Sequence, residues 1–124
     1  MEMFVLLLMI FLHIWDDFGR QGIMASMKQR DWWKNQPEYS PIYVFDYAVA
    51  LFMHSFSWAF MIMLPIFFMC NFNLTVWHCT YFVANALIHM WVDDLKANQK
   101  VINLIVDQSV HLCQIGITWL VFVS

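Results

Sequence analysis

The segment that decides the fold is YVFDYAVALFMHSFSWAFMIMLPIFFMC, residues 43–70. It contains one acidic side chain, Asp46, and no basic one, and it exceeds the roughly 20 apolar residues that a helix needs to cross a bilayer. The rest of the chain is similar: of its 124 residues, 62% are hydrophobic and 12% are charged, whereas soluble domains have about 25% charged residues. We therefore expect an integral membrane protein. The net charge of −3 indicates no nucleic-acid partner.

Apolar segments elsewhere in the chain extend this prediction to a small bundle of four transmembrane helices. They are expected over residues 2–24, 43–70, 74–95 and 100–123, with an interfacial loop at 25–42, in a single all-α polytopic membrane domain. The first apolar run, from Met3 to Trp15, is too short to span alone, so its helix should continue, polar, inside the protein. A cleaved signal peptide is disfavoured, because the run lacks a basic start and a small-residue cleavage site.

The basic residues predict how these helices are oriented. All six fall in two connections, four between the first two apolar segments and two between the last two: Arg20, Lys28, Arg30, Lys34, Lys96 and Lys100. Because cytoplasmic loops are enriched in Lys and Arg, we place both connections in the cytoplasm and both termini outside it. The 25–42 loop also holds Trp32 and Trp33, which suit the membrane boundary either as ordinary anchors or as part of a lipid headgroup site.

Histidine and aspartate recur four residues apart in three of the predicted helices. The pairs are His13 and Asp17, His89 and Asp93, and Asp107 and His111. A spacing of four places both members on one helical face. Under the predicted topology, every Asp lies nearer the cytoplasm and every His lies roughly 5 Å deeper. Ionisable residues in membrane helices are costly and mark functional sites by default.

These pairs predict a metal site, which His54 can join from the second helix. Imidazole and carboxylate groups are ligands of zinc, manganese and iron, and a cation would offset the cost of burying three carboxylates. We expect one or two divalent ions held by His13, Asp17, His54, His89, Asp93, Asp107 and His111. Among these, Asp17, Asp93 and Asp107 are the candidate catalytic residues, and Gln21, Lys96 and Gln108 are expected to support the ligands from outside. The alternative is a structural His–Asp hydrogen-bond network.

The order of the motifs is similar to that of a known family. It reads His13-x-x-x-Asp17-x-x-x-Gln21, His54, His89-x-x-x-Asp93-x-x-Lys96 and Asp107-Gln108-x-x-His111. Over nearly the whole chain this order resembles the bacterial and phage membrane proteins grouped as domain-of-unknown-function family 3307. The resemblance implies the inner membrane of a bacterium, with phage origin open, and the pattern looks like that of small metal-dependent membrane hydrolases. The sequence departs from the family pattern in having a second acid, Asp16 or Asp94, next to the aspartate of two of the pairs. The four-residue spacing favours Asp17 and Asp93 as the members that point inward.

Three functions are compatible with this pattern. The first is a metal-dependent hydrolase that acts on a lipid or lipid phosphate at the cytoplasmic membrane face, with membrane lipid as its partner. The second is a module that transports protons, ions or metals, and the third is a non-enzymatic accessory or inhibitory membrane protein. A chain this small is also a candidate for a homo-oligomer. Cys70 and Cys79 flank a predicted turn; free thiols are expected, and a bridge is the alternative.

Overall fold

The computed structural model describes residues 1–124 and contains helices and no strands, which confirms the all-α prediction. Its helices are α1 (Glu2–Ile14), α2 (Met24–Met27), α3 (Arg30–Lys34), α4 (Asp46–Met69), α5 (Val76–Ala97) and α6 (Leu104–Phe122). A π-helical segment, Trp15–Gly19, continues α1, and a 3₁₀ turn, Pro41–Tyr43, precedes α4. The three cysteines are free thiols.

Helix α4 lies at the centre of the bundle and packs against α1 and α5, while α6 packs against α1 and α5. The apolar core fills the half of the bundle that holds the chain termini. Its fully or nearly fully buried members include Val5, Met9, Trp58, Ile62, Met63, Ile66 and Ile115. The other half of the bundle, beside the basic connections, is filled mainly by polar side chains.

Large apolar side chains cover the outer surface of the long helices. Among those more than half exposed are Phe4, Leu7, Val49, Met53, Leu87, Trp91, Ile105 and Leu120. Soluble monomers rarely present apolar surface on every face, whereas lipid accommodates it. By length and composition, two helical segments could cross a membrane: Pro41–Met69 and Leu104–Phe122.

The other two predicted spans do not meet that requirement, for different physical reasons. The regular helix α1 has only 13 residues, fewer than the roughly 20 that a span needs. Helix α5 has 22 residues, but Asp93, Asp94 and Lys96 occupy its last turns and lower its hydropathy. Four membrane-spanning helices were predicted, and by length and composition two helical segments of the structure could span a membrane.

Several predicted boundaries also shift. The helix expected over residues 2–24 ends at Gly19, because the chain turns near Gly22, whose φ of +50° favours glycine. The predicted 25–42 loop contains α2 and α3. Helix α6 begins four residues later than expected, at Leu104, where the Asn103 side chain accepts a hydrogen bond from the Val106 backbone N–H and caps the helix.

Candidate metal centre

The predicted ligands converge in the polar half of the bundle. The π-helical segment brings Asp17, α4 brings His54, α5 brings His89 and Asp93, and α6 brings Asp107 and His111. All seven predicted ligands, His13 included, are at most 7% exposed. The segment Trp15–Gly19 is wound more widely than an α-helix, and both Asp16 and Asp17 are buried there. Such π-helical insertions are frequent at functional sites.

One group of four ligand atoms is contributed by Asp17, His54, His89 and Asp93. The His54 Nε2 atom lies 3.2 Å from Asp17 Oδ1 and 3.4 Å from Asp93 Oδ2. The His89 Nε2 atom lies 3.1 Å from His54 Nε2 and 3.6 Å from Asp93 Oδ2. In a tetrahedral site with metal–ligand bonds of about 2.0–2.1 Å, neighbouring ligand atoms are about 3.3–3.4 Å apart. These four separations fall around that value, and all ligand atoms of the group lie within 4.8 Å of one another, so this group could hold a four-coordinate ion.

The His54 Nε2 atom has more polar neighbours than a single hydrogen bond can use. A ring nitrogen of a neutral imidazole offers either one N–H or one lone pair. His54 Nε2 nevertheless faces His89 Nε2 and two carboxylate oxygens within 3.4 Å. A single proton cannot serve all three contacts, whereas a shared cation attracts every one of these atoms.

A second group joins Asp17 to Asp107 and His111, whose ligand atoms lie within 4.8 Å of one another. The His111 Nε2 atom is 3.3 Å from Asp107 Oδ1. That carboxylate oxygen is buried and has no hydrogen-bond partner, although buried acceptors are nearly always paired. Because Asp17 belongs to both groups, its carboxylate is positioned to be shared by two ions.

His13 is the predicted ligand that lies outside both groups. Its Nδ1 atom accepts a 2.8 Å hydrogen bond from Trp58 Nε1, so its Nε2–H donates to Gln108 Oε1 at 3.0 Å. The Gln108 amide in turn donates to Asp17 Oδ2 and Asp107 Oδ2, at 2.9 Å each. His13 therefore orients Gln108 instead of facing the ligand groups, and Gln108 holds the two carboxylates.

The other two predicted supporting residues contact the site carboxylates directly. Gln21 Nε2 lies 3.3 Å from Asp17 Oδ1 and also donates to the Asp17 backbone oxygen at 2.9 Å. Lys96 Nζ donates to Asp107 Oδ2 at 2.8 Å. Burial by itself would lower the pKa of the Lys96 ammonium, but the hydrogen bond to Asp107 and the negative charges of Asp107, Asp93 and Asp17 together raise that pKa above its ordinary value.

In each pair of adjacent aspartates, Asp16–Asp17 and Asp93–Asp94, only the member favoured by the four-residue spacing belongs to a ligand group. The Asp16 carboxylate turns away from the ligand groups and accepts a 2.8 Å hydrogen bond from Ser57 Oγ. Asp94 accepts hydrogen bonds from Asn98 and Gln99 at the end of α5. The inward members are Asp17 and Asp93.

Two residues at the site were not singled out from the sequence. Lys28 follows α2 and is buried, with its Nζ atom 2.6 Å from Asp93 Oδ2. Trp58 is fully buried and stacks on the His89 ring, with 4.1 Å between ring centroids. Trp58 could have been identified, since it lies one helical turn after His54. Lys28 carries no local signal, because it reaches Asp93 from a connection 65 residues away in sequence.

The fifth histidine, His78, lies at the opposite end of α5 and is structural, as its lack of an acid partner predicts. Its Nδ1 atom accepts a 3.1 Å hydrogen bond from the Thr75 backbone N–H and closes a capping box at the start of the helix.

The charges of the site do not balance without a further cation. The carboxylates of Asp17, Asp93 and Asp107 face two ammonium groups, those of Lys28 and Lys96. With neutral imidazoles, one negative charge is left over, and an uncompensated buried charge is strongly unfavourable. A divalent ion or a protonated imidazole supplies the missing positive charge. Comparisons of the chain with protein-family models, curated proteins and solved structures found no match.

Proposed function

We propose that this chain is a metal-dependent membrane hydrolase whose site faces the cytoplasm and acts on an amphiphilic substrate. The observation that carries the proposal is the group of Asp17, His54, His89 and Asp93, whose separations match a tetrahedral ion. A divalent ion bound there lowers the pKa of a coordinated water and polarises a substrate oxygen. Zinc suits this donor set best, and manganese and iron are the alternatives.

The remaining carboxylate, that of Asp107, suits the role of general base. One of its oxygens, Oδ2, is held by Lys96 and Gln108, while Oδ1 has no hydrogen-bond donor. A fixed carboxylate with one free oxygen can accept a proton from a nucleophilic water. A second ion would instead be held by Asp107 together with His111 and Asp17, and the Asp107 carboxylate would then serve as its ligand.

We propose that the chain crosses the inner membrane of a bacterium four times. The protein would be encoded by the bacterium or by its phage. Helix α5, with 22 residues, is about 33 Å long, enough for the bilayer if its charged last turns lie at the boundary. The first span would be α1 together with the π-helical segment, with Asp17 turned inward. The confinement of Lys and Arg to the two connections beside the site supports this arrangement.

Aromatic and basic side chains beside the site support a substrate taken from the membrane. Trp33 stacks near Tyr43, and the Arg30 guanidinium lies 4.6 Å from the centre of the Tyr47 ring. Such mixtures of indole, phenol and cation gather at the headgroup level of a bilayer. Membrane lipid is therefore the proposed partner and source of substrate.

The proposal is tested on protein purified without chelators, first for bound metal and then for release of product from lipid phosphates and lipid esters. The His54→Gln variant should lose the ion of its own group, and with it turnover. The matched control is His78→Gln, which removes an imidazole at the far end of α5 and should retain both. Turnover that survives His54→Gln, or folded protein that takes up no transition metal, would refute the proposal.

A second candidate, proton transport, is favoured by a ladder of polar side chains that leads away from the site. His111 Nδ1 lies 3.3 Å from Gln114 Oε1, Gln114 donates to Asn85, and Asn85 donates to Thr118 Oγ1 at 2.9 Å. Proton flux into proteoliposomes, abolished by Gln114→Leu, would establish this function. An absence of flux together with hydrolytic turnover would favour the enzyme.

A further inference from the structure

A basic cavity of about 400 Å³ lies beside the ligand groups, at the end of the bundle that holds the basic connections. Three lysines border it, Lys28, Lys96 and Lys100, together with Gln21, Gln29 and two alanines. No acidic side chain is part of the lining. The volume is in the usual range for small-molecule sites.

The cavity shares a wall with the candidate metal centre. Lys28 donates to Asp93, Lys96 donates to Asp107, and Gln21 donates to Asp17. Each of the three site carboxylates thus contacts one residue that lines the cavity. A group bound in the cavity is therefore adjacent to the ligand groups.

The lysines have unused capacity to donate hydrogen bonds. An ammonium group has three N–H donors, yet Lys28 and Lys96 each have one protein acceptor. Lys28 is also buried, at 4% exposure, so its remaining donors have little access to bulk water. Lys100 is exposed and has only a 3.5 Å ion pair with Asp31. A ligand with several negatively charged oxygens would satisfy these donors.

We propose that this cavity binds the phosphate group of a phosphate monoester, which makes phosphate monoesters the substrate class of the hydrolase. That the phosphate ester is hydrolysed rests on the proposed function. That the phosphate group binds in the cavity rests on the lysines that line it. A monoester carries about −1.5 to −2 charges near pH 7. Lys28 and Lys96 are already paired with Asp93 and Asp107, so the positive charge that meets the ligand comes from Lys100 and a bound divalent ion, and it matches a monoester better than the single charge of a diester. In the reaction, the oxygen of water bonds to phosphorus and the ester P–O bond breaks. One water proton goes to the leaving alcohol oxygen and the other stays with the released hydrogen phosphate.

The binding test uses full-length protein in detergent, with and without bound zinc, titrated with inorganic phosphate by calorimetry. The variant is Lys100→Gln, whose side chain is exposed and outside the ligand groups. We expect its Kd for phosphate to rise about tenfold, as for the loss of one charge-assisted contact. The matched control is Lys34→Gln, an exposed lysine of α3 that does not line the cavity, and its Kd should stay within about twofold. Circular dichroism verifies that both variants are folded.

Further arms of the experiment identify the source of the phosphate. Soluble phenyl phosphate is compared with phosphatidic acid in nanodiscs, and phosphatidylglycerol supplies a diester of similar size. Preference for phosphatidic acid over both supports a lipid monoester, and preference for phenyl phosphate supports a soluble one. Equal binding of monoester and diester would overturn the inference.

The result separates this inference from the proposed function. Protein that holds stoichiometric metal but binds no phosphate overturns the inference and leaves the hydrolase in place. Phosphate binding that depends on Lys100 in protein unable to hold metal supports the basic cavity and refutes the metal-dependent enzyme. Equal weakening by Lys34→Gln and Lys100→Gln would show general charge attraction and would also overturn the inference.

Discussion

The buried ion pair between Lys28 and Asp93 provides a test in which stability depends on metal. The two groups are 2.6 Å apart, with side-chain exposures of 5% and 1%. Removing one partner of such a pair costs about 3–5 kcal/mol, because the other charge is left buried. Methionine keeps the volume and the methylene chain of lysine, so Lys28→Met isolates the loss of charge. We expect the lower end of that range without metal, because three imidazoles remain within 3.6 Å of Asp93 after the substitution.

Added zinc should then restore more stability to Lys28→Met than it adds to the original protein. The ion supplies the positive charge that the ammonium supplied, and it no longer competes with that ammonium for Asp93. A ligand at 100 times its Kd stabilises a protein by about 2.7 kcal/mol. At the zinc concentration that stabilises the original protein by about this amount, zinc should stabilise Lys28→Met by more.

The assay is reversible unfolding in mixed detergent micelles, followed by tryptophan fluorescence, with chelator and with zinc. Lys34→Met is the control, since Lys34 is exposed in the same connection and should change stability by less than about 0.5 kcal/mol. An identical loss of stability for Lys28→Met with and without zinc would refute the metal site at Asp93. A negligible loss under both conditions would refute the buried ion pair.

Three further predictions concern the ligand groups and the topology. His54→Gln and His111→Gln should each reduce bound metal from two ions per chain to one, as measured by mass spectrometry of the native protein; equal depletion of both ions would contradict separate groups. Gln108→Ala should weaken metal binding about 10–100-fold, because it releases two carboxylates, and a competition titration with a chromophoric chelator measures this; unchanged affinity would contradict the role. A membrane-impermeant maleimide should label Cys70 in intact cells but Lys34→Cys only after lysis, each as the sole cysteine, and the reverse pattern would contradict the topology.

The spacing of histidine and aspartate predicted which side chains share a helical face, whereas His54 was added from its depth in the second predicted helix. Residues four apart share a helical face, so the two members of each pair were expected to lie side by side. Because buried carboxylates need compensation, the pairs of different helices were expected to lie close to one another. The structure places six of the seven predicted ligands in the two groups. The separation of Asp17 from Asp16 followed from the same spacing.

The roles of His13 and Lys28 could not be predicted in this way. His13 has the same spacing to an aspartate as the true group members, and only its contacts with Trp58 and Gln108 place it outside them. Lys28 depends on a long-range fold of the connection over α5, where Asn98 donates to the Lys28 backbone oxygen. Such contacts arise from tertiary packing and leave no periodic trace in the sequence.

The prediction of the helix boundaries and membrane spans was inaccurate for a different reason. The apolar run of α1 ends at Trp15 and is followed by Gly19 and Gly22, but the helix was predicted to continue to residue 24 because a polar helical end inside the protein was expected. Helix α5 was predicted as a span from its length, but its polar residues make it less apolar than α4. Hydropathy averages over the faces of a helix, so it cannot separate a polar site face from a polar surface.

The most direct test is an anomalous-scattering map of crystals grown from zinc-saturated protein. We predict a peak enclosed by Asp17, His54, His89 and Asp93, with a second peak beside Asp107 and His111 when both groups are filled. Well-ordered density for these side chains with no peak among them, and Asp93 paired only with Lys28, would contradict the central claim that this cluster is a metal centre.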